Sequence, residues 1–208
     1  MSRWRPDARE RLERAAVELF AEQGFAATTV PEITARAGLT TRTFFRHFAD
    51  KREVLFGGPE VPALAATMIA DAPASLDPVT VIFGGLQTVA ETRFEGRRED
   101  LRERRAIIRS DDGLRERDRR KRGELSEAIR TGFTGRGVPA TTAALLGEIT
   151  VTLLYVALDQ WLDTDDDRTL FEVIFSTLGA LQETMAAFPM AAEVSASPVR
   201  PAAVRREP

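Results

Sequence analysis

The sequence predicts an all-α protein, with a three-helix N-terminal domain containing a helix-turn-helix followed by a larger helical domain. Three observations carry that expectation. Residues 28–55, TTVPEITARAGLTTRTFFRHFADKREVL, hold three short helical patterns separated by a single glycine and two capping signals. Behind them, apolar residues keep recurring at spacings of three and four, the period of a helix rather than a strand. A length of 208 residues with 43% hydrophobic content is enough for a small domain plus a second, larger core.

Pro6 and Asp7 suit the start of the first helix, in which Leu12, Ala15, Ala16, Leu19 and Phe20 form one apolar stripe and Gly24 marks the end. Thr29 followed three residues later by Glu32 is a capping box, so a second helix is expected from Val30, with Val30, Ile33 and Ala37 on one side and Gly38 at its left-handed end. Leu39 plugs the corner and Thr40 caps a third helix, whose Phe44 and Phe48 lie four apart on a face that must turn inward. Arg42 and Arg46 then point almost opposite, with Thr43 and Phe45 on the flanks. The first helix is expected to pack across the other two and share a core of Phe25, Ile33, Phe44 and Phe48. Such a unit of about fifty residues is marginal alone and needs support from the rest of the chain.

Asp50, three before Glu53, is expected to cap a further helix that starts at Lys51 and Arg52. Two cations beside free N–H groups disfavour a helix start, and an incoming phosphate would correct the imbalance. Residues 36, 42, 46, 51 and 52 are basic against one acid, Asp50, which is the sign a phosphate backbone requires. Residues 1–58 carry 10 Lys and Arg against 8 Asp and Glu, whereas the remainder carries 19 against 24, so the acidic whole-chain balance misdescribes the N-terminal domain.

The order of capping box, glycine turn, phenylalanine-bearing helix and D-K-R-E segment resembles the N-terminal domain of the TetR family of bacterial transcriptional regulators. The resemblance covers roughly residues 6–56 and is most specific at Thr28-Thr29-Val30, Ala37-Gly38-Leu39, and Thr43 to Phe48 followed by Lys51. It implies that Thr29 bonds a phosphate, that Thr41, Arg42 and Thr43 face base edges, and that Phe45, His47 and Lys51 hold the DNA backbone, with Arg46 beside Arg42 on the outward face. Arg42 is the residue expected to read sequence, since a bidentate arginine–guanine contact discriminates by about 1–3 kcal/mol. Phe45 stands where tyrosine is more usual, removing a hydroxyl, and Arg42 stands where a small residue is commoner.

From residue 59 onward the pattern predicts helices over 62–72, 78–94, 97–109, 114–133, 139–162 and 169–188, with a break at Gly57-Gly58-Pro59. The mixed-charge run RERDRRKR at 115–122 is read as a solvated face. The last two helices are the most apolar, and in 139–162 apolar residues occupy more than one side. The resemblance implies that these two pair with their copies in a homodimer, so that two reading helices meet a palindromic operator with half-sites about 34–36 Å apart. Ligand-pocket candidates are Phe83, Leu86, Val89, Phe94, Ile107, Ile108 and Trp161. The resemblance implies a small apolar effector that releases DNA. The arginine-rich helices over 97–122 resemble those of relatives that sense acyl-coenzyme A thioesters.

Domains are thus expected at 1–57 (DNA binding), 58–188 (effector binding and dimerisation) and 189–208 (a disordered, proline-bearing tail), with Arg3 and Arg5 in a flexible arm. No cysteine is present, which suits a reducing cytosol, and a lone histidine, His47, makes a poor metal site. Residues 1–14 are mostly charged, unlike a signal peptide, and Glu148 and Asp159 interrupt the one span that could pass for a membrane helix. The expectation is therefore a cytoplasmic protein without cofactor or membrane partner. No nucleophile elbow, HExxH helix, phosphate-cradling glycine loop or dinucleotide fingerprint occurs, so no enzyme is expected. The alternative is an all-helical adaptor for protein partners.

Overall fold

The computed structural model describes residues 7–56 and 60–187. The Gly57-Gly58-Pro59 break, the arm with Arg3 and Arg5, Phe188 and the tail 189–208 lie outside the described residues. Nine α-helices are described: α1 Ala8–Gln23, α2 Val30–Ala37, α3 Thr41–His47, α4 Glu60–Asp71, α5 Pro78–Val89, α6 Arg98–Ser110, α7 Asp112–Gly135, α8 Ala140–Asp163 and α9 Leu170–Ala187. A single 3-10 turn, Glu53–Leu55, follows α3, and α5 runs on through a π turn at Ala90–Phe94. No strand occurs among the described residues, in agreement with the fold class read from the sequence.

Local chemistry sets most of these boundaries. Asp7, Asp77 and Asp111 each accept backbone N–H bonds as N-caps of α1, α5 and α7, and Thr169 and Glu172 form a box at the start of α9. Arginines close several C-termini, where carbonyls lack helical partners and the dipole favours cations. Arg136 donates to the carbonyls of Ile69, Ala72 and Pro73 at the end of α4, and Arg98 to those of Trp161, Thr164 and Asp166 at the end of α8.

Two cores result. The small one joins Leu12, Ala16, Phe20, Ile33, Phe44 and Phe48 to Ile107, Ile108 and Leu114, so the corner between α6 and α7 supplies the support that the N-terminal unit needed. The large one is built from α4, α5 and α7–α9 around Phe133, Ala157, Trp161, Leu170, Val173 and Ile174. Within it α7 and α8 approach closely: a Cβ added to Gly147 would lie 2.6 Å from the Ser126 carbonyl oxygen. By length and composition α8 is apolar enough to cross a membrane, yet its Ala143, Leu153, Ala157 and Trp161 are buried in this core.

The mixed-charge run of α7 departs from its expected solvated face. Arg117 and Lys121 both grip the carboxylate of Glu53, and Asp118, itself buried, pairs with Arg105 of α6 and with Arg122. Three residues of that run, Arg117, Asp118 and Lys121, therefore face α6 or the N-terminal domain, and Arg122 lies over the Tyr155 ring of α8. Their spacing, 117/121 and 118/122, was the available signal.

Candidate nucleic-acid interface

The helix-turn-helix is α2, Gly38, Leu39 and α3. Thr29 and Glu32 form the anticipated box: the Glu32 carboxylate accepts from Thr29 N and Oγ1 at 2.7 Å, and Glu32 N donates to Thr29 Oγ1 at 3.4 Å. Gly38 adopts φ 61°, ψ 39°, the left-handed conformation that glycine accepts at little cost. Arg11 of α1 donates to the Ala37 carbonyl at 2.5 Å and the Gly38 carbonyl at 3.4 Å, tying the turn to the supporting helix. Sequence reasoning missed this contact, which joins residues far apart in the chain.

On α3, Thr40 caps as expected, accepting from Thr43 N at 3.1 Å. Phe44 is buried, and Phe48 is buried too, although its backbone is already extended at the C-cap rather than helical. The opposite side is open. Thr41, Arg42, Phe45 and Arg46 are exposed, Thr43 and His47 half-buried, and Phe45 presents 56% of its surface to solvent while its edge packs on Phe44. Thr40, Arg42, Thr43, Phe45 and Arg46 together line a shallow recess. Arg42 has no hydrogen-bond or ion-pair partner among the described residues, and Arg46 approaches only His47 Nε2, at 3.4 Å. A large aromatic and two cations held out on a short rigid helix form a surface suited to a groove lined by phosphates.

Two other members of the expected basic set, Arg36 and Lys51, are engaged within the chain, whereas Arg52 is exposed. Arg36 makes a forked pair with Glu22, at 2.5 and 2.7 Å. Lys51 turns its ammonium to the carbonyls of Phe25, Thr28 and Ala26, at 2.7, 2.8 and 3.3 Å. The helix expected to start at Lys51 is reduced to the 3-10 turn Glu53–Leu55. Asp50 does cap it, accepting from Arg52 N and Glu53 N, but three residues do not build the N-terminal dipole that the phosphate argument needed. The Thr29 hydroxyl is likewise committed to Glu32.

A cavity of about 1230 Å³ lies between this domain and the large core, lined by α1 and α4–α8. Of the pocket candidates, Leu86, Val89, Phe94 and Ile108 line it. Phe83, Ile107 and Trp161 do not; Ile107 belongs to the small core and Trp161 to the large one, where its indole N–H donates to the Arg168 carbonyl at 2.8 Å. Most arginines of 97–122 are used internally, on helix carbonyls or in ion pairs. Arg14, Arg93 and Arg97 line the cavity without a partner among the described residues.

Comparison with known proteins agrees with this geometry. Residues 13–56 match the family described as bacterial regulatory proteins, tetR family. The chain is 38% identical over 84 residues to the HTH-type transcriptional regulator TcmR of Streptomyces glaucescens, a match spanning 39% of this chain and 36% of TcmR. The fold is shared with FadR of Thermus thermophilus, a TetR family transcriptional repressor solved in complex with lauroyl-CoA, at 24% identity, covering 88% of this chain and 98% of that one with a TM-score of 0.51. It is shared also with NalD of Pseudomonas aeruginosa, the secondary repressor of the MexAB-OprM multidrug efflux pump, at 19% identity and a TM-score of 0.56 over 85% and 95% of the two chains. A helix-turn-helix with an outward arginine–phenylalanine face is thus matched, over residues 13–56, by the family described as bacterial regulatory proteins, tetR family, and is carried by a fold shared with these two solved repressors.

Proposed function

We propose that this chain is a cytoplasmic, homodimeric repressor that binds a palindromic operator through α3 of each copy and is released by a small, largely apolar effector. The observation that carries the reading is the free outward face of α3. Arg36 and Lys51 are paired internally, whereas Arg42 is exposed and unpartnered beside the exposed ring of Phe45. In this reading Thr41, Arg42 and Thr43 meet base edges, and Phe45, Arg46, His47 and the Thr29 region meet the backbone.

The dimer is supported by an apolar face that its own chain leaves uncovered. Leu145, Ile149 and Val156 recur at helical spacing on α8 and are exposed, as are Phe175 and Met185 on the adjacent α9. A second copy would cover this face and bring two α3 helices to one side of a duplex.

The effector reading is supported by the cavity, whose apolar wall includes Leu86, Val89 and Phe94 and whose unpaired Arg14, Arg93 and Arg97 suit an acidic head group. An acyl-coenzyme A-like ligand meets both demands, and the fold-sharing FadR was solved with lauroyl-CoA. Two further lining residues reach the DNA-binding domain: Arg104 donates to the Val54 carbonyl at 3.0 Å and to Glu13 at 2.9 Å, and Lys121 holds Glu53. A ligand that shifts them biases the orientation of α1, and a coupling of about 1–3 kcal/mol changes DNA affinity 5- to 150-fold. A gel shift at about 0.1 M salt, using DNA flanking the coding region, tests the reading. It predicts a discrete complex that resists competition by mixed-sequence DNA and dissolves with an acyl-coenzyme A.

A further inference from the structure

The basic residues of the N-terminal domain divide into those that look outward and those that hold the domain together, and the position of Lys51 puts it in the second group. An ammonium has three donors and no acceptor. At Lys51 those donors meet three carbonyl oxygens of one loop, Phe25 at 2.7 Å, Thr28 at 2.8 Å and Ala26 at 3.3 Å, while the ammonium also sits 4.3 Å from the centroid of the Phe25 ring. The loop joins α1 to α2, so these carbonyls lie outside any helical ladder and need partners from elsewhere. Its other tie is the buried Thr28, whose hydroxyl donates to the Gly24 carbonyl at 2.9 Å. Thr29, the cap of α2, follows immediately.

We propose that Lys51 is a positioning residue: it fastens the loop before α2 to the segment after α3, and so fixes the attitude of the helix-turn-helix instead of meeting a phosphate itself. The role rests on the DNA-binding reading above. Reaching a phosphate would require the ammonium to leave three carbonyls and an aromatic face together. Burial holds its pKa below the ordinary lysine value, reinforced by Arg52 and opposed by Asp111 and Glu32, as befits a cation half withdrawn from water. Together with Arg11 at the Ala37 and Gly38 carbonyls, Lys51 secures α2 at both ends.

The test uses the full chain and Lys51→Met, which keeps an unbranched apolar stem, with the exposed neighbour Arg52→Ala for comparison. The DNA probe is the duplex recovered by binding-site selection on the unaltered protein, titrated between about 50 and 200 mM salt. Hydrogen exchange across residues 25–37 is measured on the free proteins. The proposal predicts that Lys51→Met binds on the order of tenfold more weakly, the equivalent of one charge-assisted bond, at an unchanged salt slope. It also predicts faster exchange in residues 25–33, which Arg52→Ala does not show. A slope reduced by about 0.9 per lysine, with exchange unchanged, would overturn it and return Lys51 to the phosphates. If no duplex is recovered from the unaltered protein, the DNA-binding reading fails, and unchanged exchange in Lys51→Met would then overturn the clamp independently.

Discussion

The Glu53 carboxylate accepts a hydrogen bond from Lys121, 3.0 Å away, across the junction between the two cores. Arg117 takes the other oxygen, and the carboxylate is only 6% exposed. Burial disfavours its ionised form, yet the bonds from Arg117 and Lys121 outweigh that penalty and hold the carboxyl below the usual glutamate value. The turn that follows α3 is thereby fixed to α7, which lines the cavity.

Glu53→Gln should accordingly destabilise the protein by about 3 kcal/mol, because two cations lose their buried counter-charge. Since the folded-state pKa is lowered, the stability this carboxylate contributes is present above the unfolded value of about 4.3 and is lost as pH falls through the folded one. Denaturant titrations should show the gap between the two proteins narrowing below about pH 4. A gap independent of pH would mean that Glu53 acts through packing alone.

Arg42→Ala should relax base preference at one position in each half-site at a cost of about 1–3 kcal/mol, leaving the other positions as they were. Binding-site selection on the variant checks this, and an unchanged motif would remove Arg42 from base readout.

How much of this surface was legible in the sequence follows from how far each contact reaches along the chain. The Thr29–Glu32 box, the Gly38 turn, the Thr40 cap and the inward Phe44 and Phe48 depend on neighbours within one or two turns, and all are where the pattern put them. Lys51 on the Phe25 carbonyl, Arg11 on Ala37 and Glu53 between Arg117 and Lys121 join distant segments, and periodicity carries no information about such pairs. For the same reason Ile107 passed as a pocket residue. Its helical stripe was readable, but the core it enters was not.

Ile149→Glu places a charge at the centre of the exposed α8 face. It should convert a dimer into a monomer in sedimentation experiments, with thermal stability of the monomer's own core little altered, and should weaken operator binding sharply. Retention of the dimer would place the contact elsewhere.

Gly147→Ala should destabilise the large core by about 1–3 kcal/mol, since its Cβ would meet the Ser126 backbone oxygen at 2.6 Å and the two long helices must separate to admit it. A denaturation midpoint equal to that of the unaltered protein would show that α7 and α8 can part there freely.

Selection of duplexes from a random pool by the purified full chain at about 0.1 M salt tests whether paired α3 helices read DNA sequence. Sequence reading by paired α3 helices predicts enrichment of an imperfect palindrome with half-site centres about one helical turn apart, bound at least about a thousandfold more tightly than mixed-sequence DNA. Recovery of no common motif, or equal affinity for every duplex, would contradict it.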